Sequence, residues 1–512
     1  MKKAALLMTL LFSSLTLAQS AVPANFWGIQ FNQMSSSYPV AGGPTFQTFR
    51  FWDTGTSWYQ MQSAAGTYNF QKFEDWMTNV VVPNHLDVIY TIGKTPKFIS
   101  SFQGDACNNK PANFPGSCVP PLDLQCNGSG VANTGGSDAT LIGFVQALWG
   151  DITLHNWDQG RQWYFEVWNE PTDENEKQAG QAGFWDNYWI SNTYCVSTGG
   201  QADASGPRRI IARMASDTRA AIAQIDPTAT VQFLSPPPPG TRLAGPTSWW
   251  QNYLSGDGGQ WGKTGGAKCS GYGNGNVDPC GGGQFADVIS VHEYLSAPNE
   301  TPDDICCDSS GSDGQGTAVY NTLQVMANYQ QNTKPLFITE GSSGGYCNQT
   351  NCGNSFDPVS FMARYYTLMA SQAEVARFAW YNYDTFGPFW CPHTEFLNGT
   401  CTPDSALTAS GIALGQMQSV WGYDGGTFGL GGCAKVVQSL SCASGGSFRV
   451  CGLTEGGTLT QAEVVWFDAY NKSCTYTPPG TGWIDYRDLT GMVTHYSGGP
   501  VTVGNRPILF EK

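Results

Sequence analysis

The chain has 512 residues, room for two or three domains with one large barrel among them. Charged residues make up 13% of it, about half the roughly 25% usual in globular domains, while Gly (62), Trp (18) and Tyr (22) are abundant. A formal net charge of -15 excludes nucleic acid and anionic membrane surfaces as expected partners, because both reward Lys and Arg, and leaves a neutral or cationic polymer open.

At the N-terminus Lys2 and Lys3 precede an apolar run that reaches Leu17, broken only by small hydroxyls, and small residues follow at Ala18, Ser20 and Ala21. This is the pattern of a secretory signal peptide over residues 1–20, so an exported protein, extracellular or periplasmic, is expected. The run is too short to span a bilayer comfortably, and no later stretch approaches the roughly 18 apolar residues a transmembrane helix needs. All 16 Cys lie beyond it, several of them near one another in pairs such as Cys269/Cys280, Cys347/Cys352, Cys391/Cys401 and Cys433/Cys442. An even count in an exported chain favours disulfides over a metal site, since no CxxC pair repeats and the 5 His do not gather with the cysteines. Connectivity stays open. Sequons at Asn127, Asn299, Asn348, Asn398 and Asn471 are surface-loop signals if the host glycosylates.

Further along, short β-branched or aromatic runs predict strands at 26–31, 48–52, 87–92, 163–168, 230–234, 288–292, 335–339 and 376–381. Amphipathic stretches at 70–81, 139–148, 210–225, 317–330, 358–371 and 406–420 predict helices between and after them. Eight strands alternating with helices is the count of a (β/α)8 TIM barrel. The Gly, Pro and Cys-rich stretches 104–136, 236–283 and 296–316 follow the third, fifth and sixth strands, on the face where such a barrel builds its active site. Beyond 420 the pattern changes to short runs at 434–439, 447–452, 463–467, 482–485 and 501–503, read as a C-terminal antiparallel β-sandwich domain. The expected division is a signal peptide at 1–20, the barrel at 21–419 and the sandwich at 420–512.

Two strand ends stand out. The fourth strand closes on Phe165-Glu166-Val167-Trp168-Asn169-Glu170-Pro171, where Pro171 stops the ladder and leaves Asn169 and Glu170 at the carboxyl end. The seventh closes on Thr339-Glu340-Gly341, an acid ending an apolar strand. Strands four and seven face each other across a barrel mouth, so Glu170 and Glu340 can supply the two carboxyls that glycoside hydrolysis needs on either side of the scissile bond. The bland alternative is a pair of solvated loop acids; matching strand ends in an aromatic-rich exported chain favour the catalytic one. Strict alternation would turn Asn169 away from Glu170's face, so a local distortion is required there. His292 and Tyr294 lie two apart at the end of the sixth strand and so share a side, with Glu293 opposite; a core His and a packing Tyr is the competing reading. Arg50 is a charge inside an apolar strand and needs a buried partner, for instance Glu166 on the interior face.

These residues resemble clan A glycoside hydrolases, which carry Asn-Glu-Pro at the end of strand four and Glu at the end of strand seven, and with the C-terminal sandwich the chain looks most like glycoside hydrolase family 39. The resemblance spans nearly the whole mature chain. It implies a retaining mechanism, with Glu340 as nucleophile, Glu170 as acid/base and carboxyls roughly 5 Å apart. It implies that Asn169 bonds the sugar 2-hydroxyl, that Tyr294 donates to Glu340, that Arg50 lowers the nucleophile's pKa, and that Trp380 floors the cleavage subsite with a flat apolar face. Trp27, Trp52, Trp185, Trp189 and Trp390 are further subsite candidates, each more often core than platform. Family members act on xylosides, on uronic-acid-containing glycans and on other polysaccharides, so no single substrate is implied. The expected partner is a polysaccharide or oligosaccharide, met by a monomer with no metal and no organic cofactor. A non-catalytic carbohydrate-binding protein on the same scaffold is the alternative from another class; a serine or zinc hydrolase lacks its Gly-x-Ser-x-Gly or His-Glu-x-x-His signature.

Overall fold

The computed structural model describes residues 22–32, 38–99, 121–124, 137–171, 206–238, 250, 253–254, 282–294, 302–305, 318–342, 357–383, 407–419, 428–436, 446–455, 458–469 and 472–512. The signal-peptide segment, most of the three Gly/Pro/Cys-rich insertions, Trp185, Trp189, Trp390, the five sequon asparagines and the Cys269/Cys280, Cys347/Cys352 and Cys391/Cys401 pairs lie outside them.

Eight parallel strands form one sheet: β1 (Trp27–Gln30), β2 (Thr48–Phe51), β3 (Asp87–Ile92), β4 (Trp163–Val167), β5 (Val231–Leu234), β6 (Ile289–Tyr294), β7 (Leu336–Ser342) and β8 (Val375–Trp380). Their order, β5-β4-β3-β2-β1-β8-β7-β6, becomes a ring through a parallel bridge between Leu234 and Val288. The ring is a (β/α)8 barrel, and each of its eight strands lies within three residues of the ends expected from the sequence. Helices α1 (Gln71–Trp76, prolonged by a wider turn over Met77–Val81), α2 (Ala139–Leu154), α3 (Gly206–Ile225), α4 (Ala318–Asn328), α5 (Pro358–Ala370) and α6 (Ala409–Ser419) alternate with the strands. Their origin is local. In α2 the buried Leu141, Phe144, Val145, Leu148, Trp149 and Ile152 recur at the three-to-four spacing of one helix face. Asp357 caps α5 by accepting from the Val359 amide at 3.1 Å, with Pro358 in the first turn, where its missing N–H costs nothing.

Strand alternation sorts the two sides of the barrel wall. Phe165, Phe378 and Ile338 join the continuous core between sheet and helices, whereas Ile89, Tyr164, Leu234, Val288 and Phe337 form a separate cluster inside the ring. Arg377 lies over the Tyr164 ring at 4.7 Å and pairs with Asp87 at 2.7 Å.

The C-terminal part is a six-stranded antiparallel sheet in the order β9-β10-β11-β16-β13-β14, formed by β9 (Phe428–Val436), β10 (Phe448–Glu455), β11 (Thr458–Phe467), β13 (Asp485–Arg487), β14 (Val493–His495) and β16 (Ile508–Glu511), with a two-stranded ribbon of β12 (Cys474–Tyr476) and β15 (Val501–Val503). Period-two alternation gives the large sheet two apolar faces. Phe448, Val465, Phe467 and Phe510 pack with Tyr476 and Val503 of the ribbon, while Cys451, Val464, Trp466 and Leu509 join the barrel's own core. The sequence pattern misses β12, β14 and β16. Cys433 is bonded to Cys451 across β9 and β10, not to its sequence neighbour Cys442. No helix among the described residues is long and apolar enough to cross a membrane.

Candidate active site

The carboxyl ends of the strands gather the polar side chains. Inward positions of β4 and β6, two residues apart, carry Glu166 and then Ser290, His292 and Tyr294. Glu166 is the hub. Its Oε2 accepts from Arg50 Nη2 at 2.5 Å, Arg50 Nε at 2.9 Å and Thr91 at 2.8 Å, and its Oε1 from Thr339 at 3.0 Å and Ser290 at 3.1 Å. Arg50 continues outward, donating to Gln30 Oε1 at 3.0 Å, to Asn169 Oδ1 at 2.6 Å and to Glu340 Oε1. Both partners weighed for Arg50 are therefore engaged by the one guanidinium. Burial works against its charge, but Glu166 and Glu340 more than offset that and hold its pKa above the ordinary value.

Both acids reach the mouth through departures from strand alternation. In β7, Ile338 pairs with Val291 but Glu340 pairs with His292, so one extra residue is taken up at Thr339. Thr339 and Glu340 consequently both face inward, the first onto Glu166 and the second onto Arg50 and Tyr294. After β4 the backbone turns left-handed at Trp168 (φ 69°) and again at Glu170 (φ 47°), bracketing Asn169. This is the distortion that alternation demands, and it puts Asn169 on Arg50 and Glu170 on His292.

The Tyr294 hydroxyl donates to Glu340 Oε2 at 2.6 Å, and burial together with Glu340 raises its pKa far enough to keep it a donor. His292 Nδ1 lies 2.9 Å from Glu170 Oε1 and 3.4 Å from Glu340 Oε2, while its buried Nε2 has no partner among the described residues. Burial pushes the His292 pKa down to about 4, so the ring is neutral near pH 7. With a bare Nε2, the proton belongs on Nδ1, where it can be donated to a carboxylate. Burial pushes the Glu340 carboxyl above the usual carboxylate range, while His292, Arg50 and the Tyr294 hydroxyl pull it back. The two acids differ in access: the Glu340 side chain is 6% exposed and that of Glu170 20%.

One ligand atom from each of Glu170, His292 and Glu340 lies within 4.8 Å of the others, so the Glu170 and Glu340 carboxylates have oxygens no farther apart than that. The trio has metal-like spacing, but Arg50 already sits on Glu340, and its fixed positive charge opposes a cation at the same point. The arrangement suits two acids working on a shared guest.

Trp380 is not the floor of this mouth. It is 2% exposed and stacked on Tyr366 of α5, 5.7 Å away at 18°, on the outer side of β8. Parity is the reason: the next residue, Tyr381, turns inward, its ring 6.2 Å from that of Tyr294 and its hydroxyl donating to Asp53 at 2.9 Å. Trp27 is likewise core, against Phe26 and Tyr366. The sequence reading also passes over Gln30, Asp53 and Lys94. Asp53 and Lys94 follow the ends of β2 and β3 as Glu170 follows β4, which is the signal that could have found them.

No family model matches the chain, and no curated protein matches its sequence. Among solved structures it is similar to a conserved exported protein from Bacteroides fragilis, at 11% identity over 95% of this chain and 91% of that one, with a TM-score of 0.50; the likeness is one of fold. It is also similar to the GH39 enzyme from Xanthomonas axonopodis pv. citri (14% identity, 96% and 95% covered, TM-score 0.48). A third similar structure is a GH39 beta-xylosidase from Caulobacter crescentus (13% identity, 96% and 98% covered, TM-score 0.45).

Proposed function

We propose that the protein is an exported glycoside hydrolase that cleaves β-linked glycans or oligosaccharides with retention of anomeric configuration. The observation that carries this reading is the pair Glu170 and Glu340, within 4.8 Å at one end of a closed barrel, one clamped and one more open. Retaining enzymes hold their carboxyls about 5 Å apart, whereas inverting ones leave a wider gap for water.

In this reading Glu340 attacks the anomeric carbon. Arg50 and Tyr294 fix one oxygen each, holding the group ionised and aimed despite its burial. Glu170 gives its proton to the departing glycosidic oxygen, and a glycosyl ester forms on Glu340. Glu170, now ionised, takes a proton from the water that breaks the ester, and the starting state returns. Neutral His292 lies against both carboxyls and can keep a hydrogen bond to Glu170 in either state. Asn169, fixed by Arg50, would meet the sugar 2-hydroxyl, a contact that strengthens as the oxocarbenium character grows.

Aryl glycosides and polysaccharides test the reading. Glu340→Gln should lose turnover by at least about 10³-fold with the fold retained. Glu170→Ala should lose about 10²- to 10⁴-fold on poor leaving groups, far less on activated ones, with azide rescuing the latter as a glycosyl azide of retained configuration. Equal binding of glycan by wild type and Glu340→Gln with no turnover in either would leave a carbohydrate-binding protein instead.

A further inference from the structure

Beside the acid pair lies a second polar group that the chemistry above does not use. Asp53 Oδ2 accepts from Tyr381 at 2.9 Å and from Gln30 Nε2 at 3.2 Å, and its Oδ1 lies 3.5 Å from Lys94 Nζ. Gln30 accepts from Arg50 with its other end, so an unbroken chain runs from Glu340 through Arg50 and Gln30 to Asp53. The Lys94 ammonium itself lies over the Trp52 ring at 4.2 Å, a cation–π contact that holds the charged head beside Asp53. The Lys94 side chain is 16% exposed and that of Asp53 31%, so a guest can reach both. An ammonium has three donors and Asp53 Oδ1 has room for a second partner, so among the described residues a contact as long as 3.5 Å saturates neither group.

We propose that Asp53 and Lys94 form the sugar-recognising end of this site and select a neutral glycosyl unit by bracketing two neighbouring hydroxyls, one donating to Asp53 and the other accepting from Lys94. The inference rests on the glycosidase reading. A lone basic group here would fit a uronate, but Lys94 is already faced by Asp53. Among the described residues around the mouth, moreover, the acids Asp53, Glu166 and Glu340 outnumber the cations Arg50 and Lys94, leaving aside Glu170, which holds its proton when substrate binds. A second carboxylate brought in by the sugar would enter an acidic field. Hydroxyl pairs carry no such penalty, and a donor beside an acceptor is the complement they need. Tyr381, holding Asp53 in place and lying edge-on to Tyr294, is a positioning residue for this end.

The test compares kcat/KM of the wild type, Asp53→Asn and Lys94→Met on aryl glycosides of neutral sugars, on their monodeoxy series and on the matching aryl uronide. Labelling of Glu340 by a 2-deoxy-2-fluoro glycoside, read by mass, reports the glycosidase reading separately. Lys94→Met removes the ammonium and its contact with Trp52 but keeps an unbranched side chain. The expected result is that the neutral glycoside is preferred, that removing one or two particular hydroxyls costs the wild type roughly 10- to 100-fold, and that the same removal costs the variants little. The proposal is overturned if the deoxy substrates lose as much in the variants as in the wild type, or if the uronide is preferred. A wild type with no sensitive hydroxyl away from the 2-position overturns it without any variant. If the wild type neither turns over a glycoside nor takes the label, the glycosidase reading falls and takes this one with it.

Discussion

Single side chains at the mouth are set by what surrounds them. The folded His292 refuses a proton down to about pH 4, whereas in the unfolded chain it takes one near its ordinary 6.5. As pH falls from 6.5 toward 4, the unfolded state binds more protons, so His292 makes the fold lose stability there, by at most about 1.4 kcal/mol per pH unit. His292→Gln should remove that contribution: urea unfolding at pH 7 and pH 4.5 should show a smaller loss for the variant, and an equal or larger one would refute the assignment. At this scale the sequence tells identity better than partnership. Arg50 announces itself as a charge in an apolar strand, and both carboxylates weighed for it, Glu166 and Glu340, touch it. Lys94 does not announce itself, since a lysine after a strand is ordinary until Trp52 and Asp53 are seen beneath and beside it.

At the level of strands, period-two alternation is a good guide to walls and a poor one to rims. It sorts His292 and Tyr294 from Glu293, whose carboxylate lies 3.4 Å from Thr322 of α4 on the outer side. It fails where the chain leaves the ladder. A distortion beside Asn169 is expected from alternation, but its form, left-handed turns at Trp168 and Glu170, and the extra residue at Thr339 are invisible to a hydrophobicity pattern, yet they aim both acids. Trp380 is the opposite case: alternation applied one residue further gives Tyr381 to the mouth and Trp380 to the core, where the family resemblance implies the tryptophan at the mouth. The displaced register of β7 also sets a test. A Cβ on Gly341 would lie 2.7 Å from the Phe378 ring, 2.9 Å from the Tyr365 hydroxyl and 3.0 Å from the Glu293 carbonyl. Gly341→Ala should therefore cost about 1–3 kcal/mol and move Glu340 away from Tyr294, lowering kcat more than it raises KM. Unchanged melting and unchanged kcat together would show that the strand end yields freely.

Across the whole molecule, the barrel and the C-terminal sheet are held together by a buried carboxylate. Asp303 sits in a short helical turn (Pro302–Ile305) between β6 and α4; its Oδ1 accepts from Arg449 of β10 at 2.9 Å and its Oδ2 from Arg364 of α5 at 3.0 Å. Burial works against this carboxylate, but the two guanidiniums outweigh it and hold its pKa below the usual range. Asp303→Ala leaves two buried cations without their anion and should cost about 3–5 kcal/mol. Calorimetry should show the loss across one shared transition, because Val464, Trp466 and Leu509 lie in the same core as the barrel's helices. A sheet that melts alone while the barrel endures would contradict that. The closed ring was readable from eight spaced apolar runs, whereas this junction was not, for nothing in a local pattern says which acid will meet which arginine. Glu166 has the same character one layer further in. By grasping β2, β3, β6 and β7 from its place on β4, it cinches the hoop from within, so whatever loosens the staves also slackens the grip on the attacking group, and shape and reactivity are lost as one event.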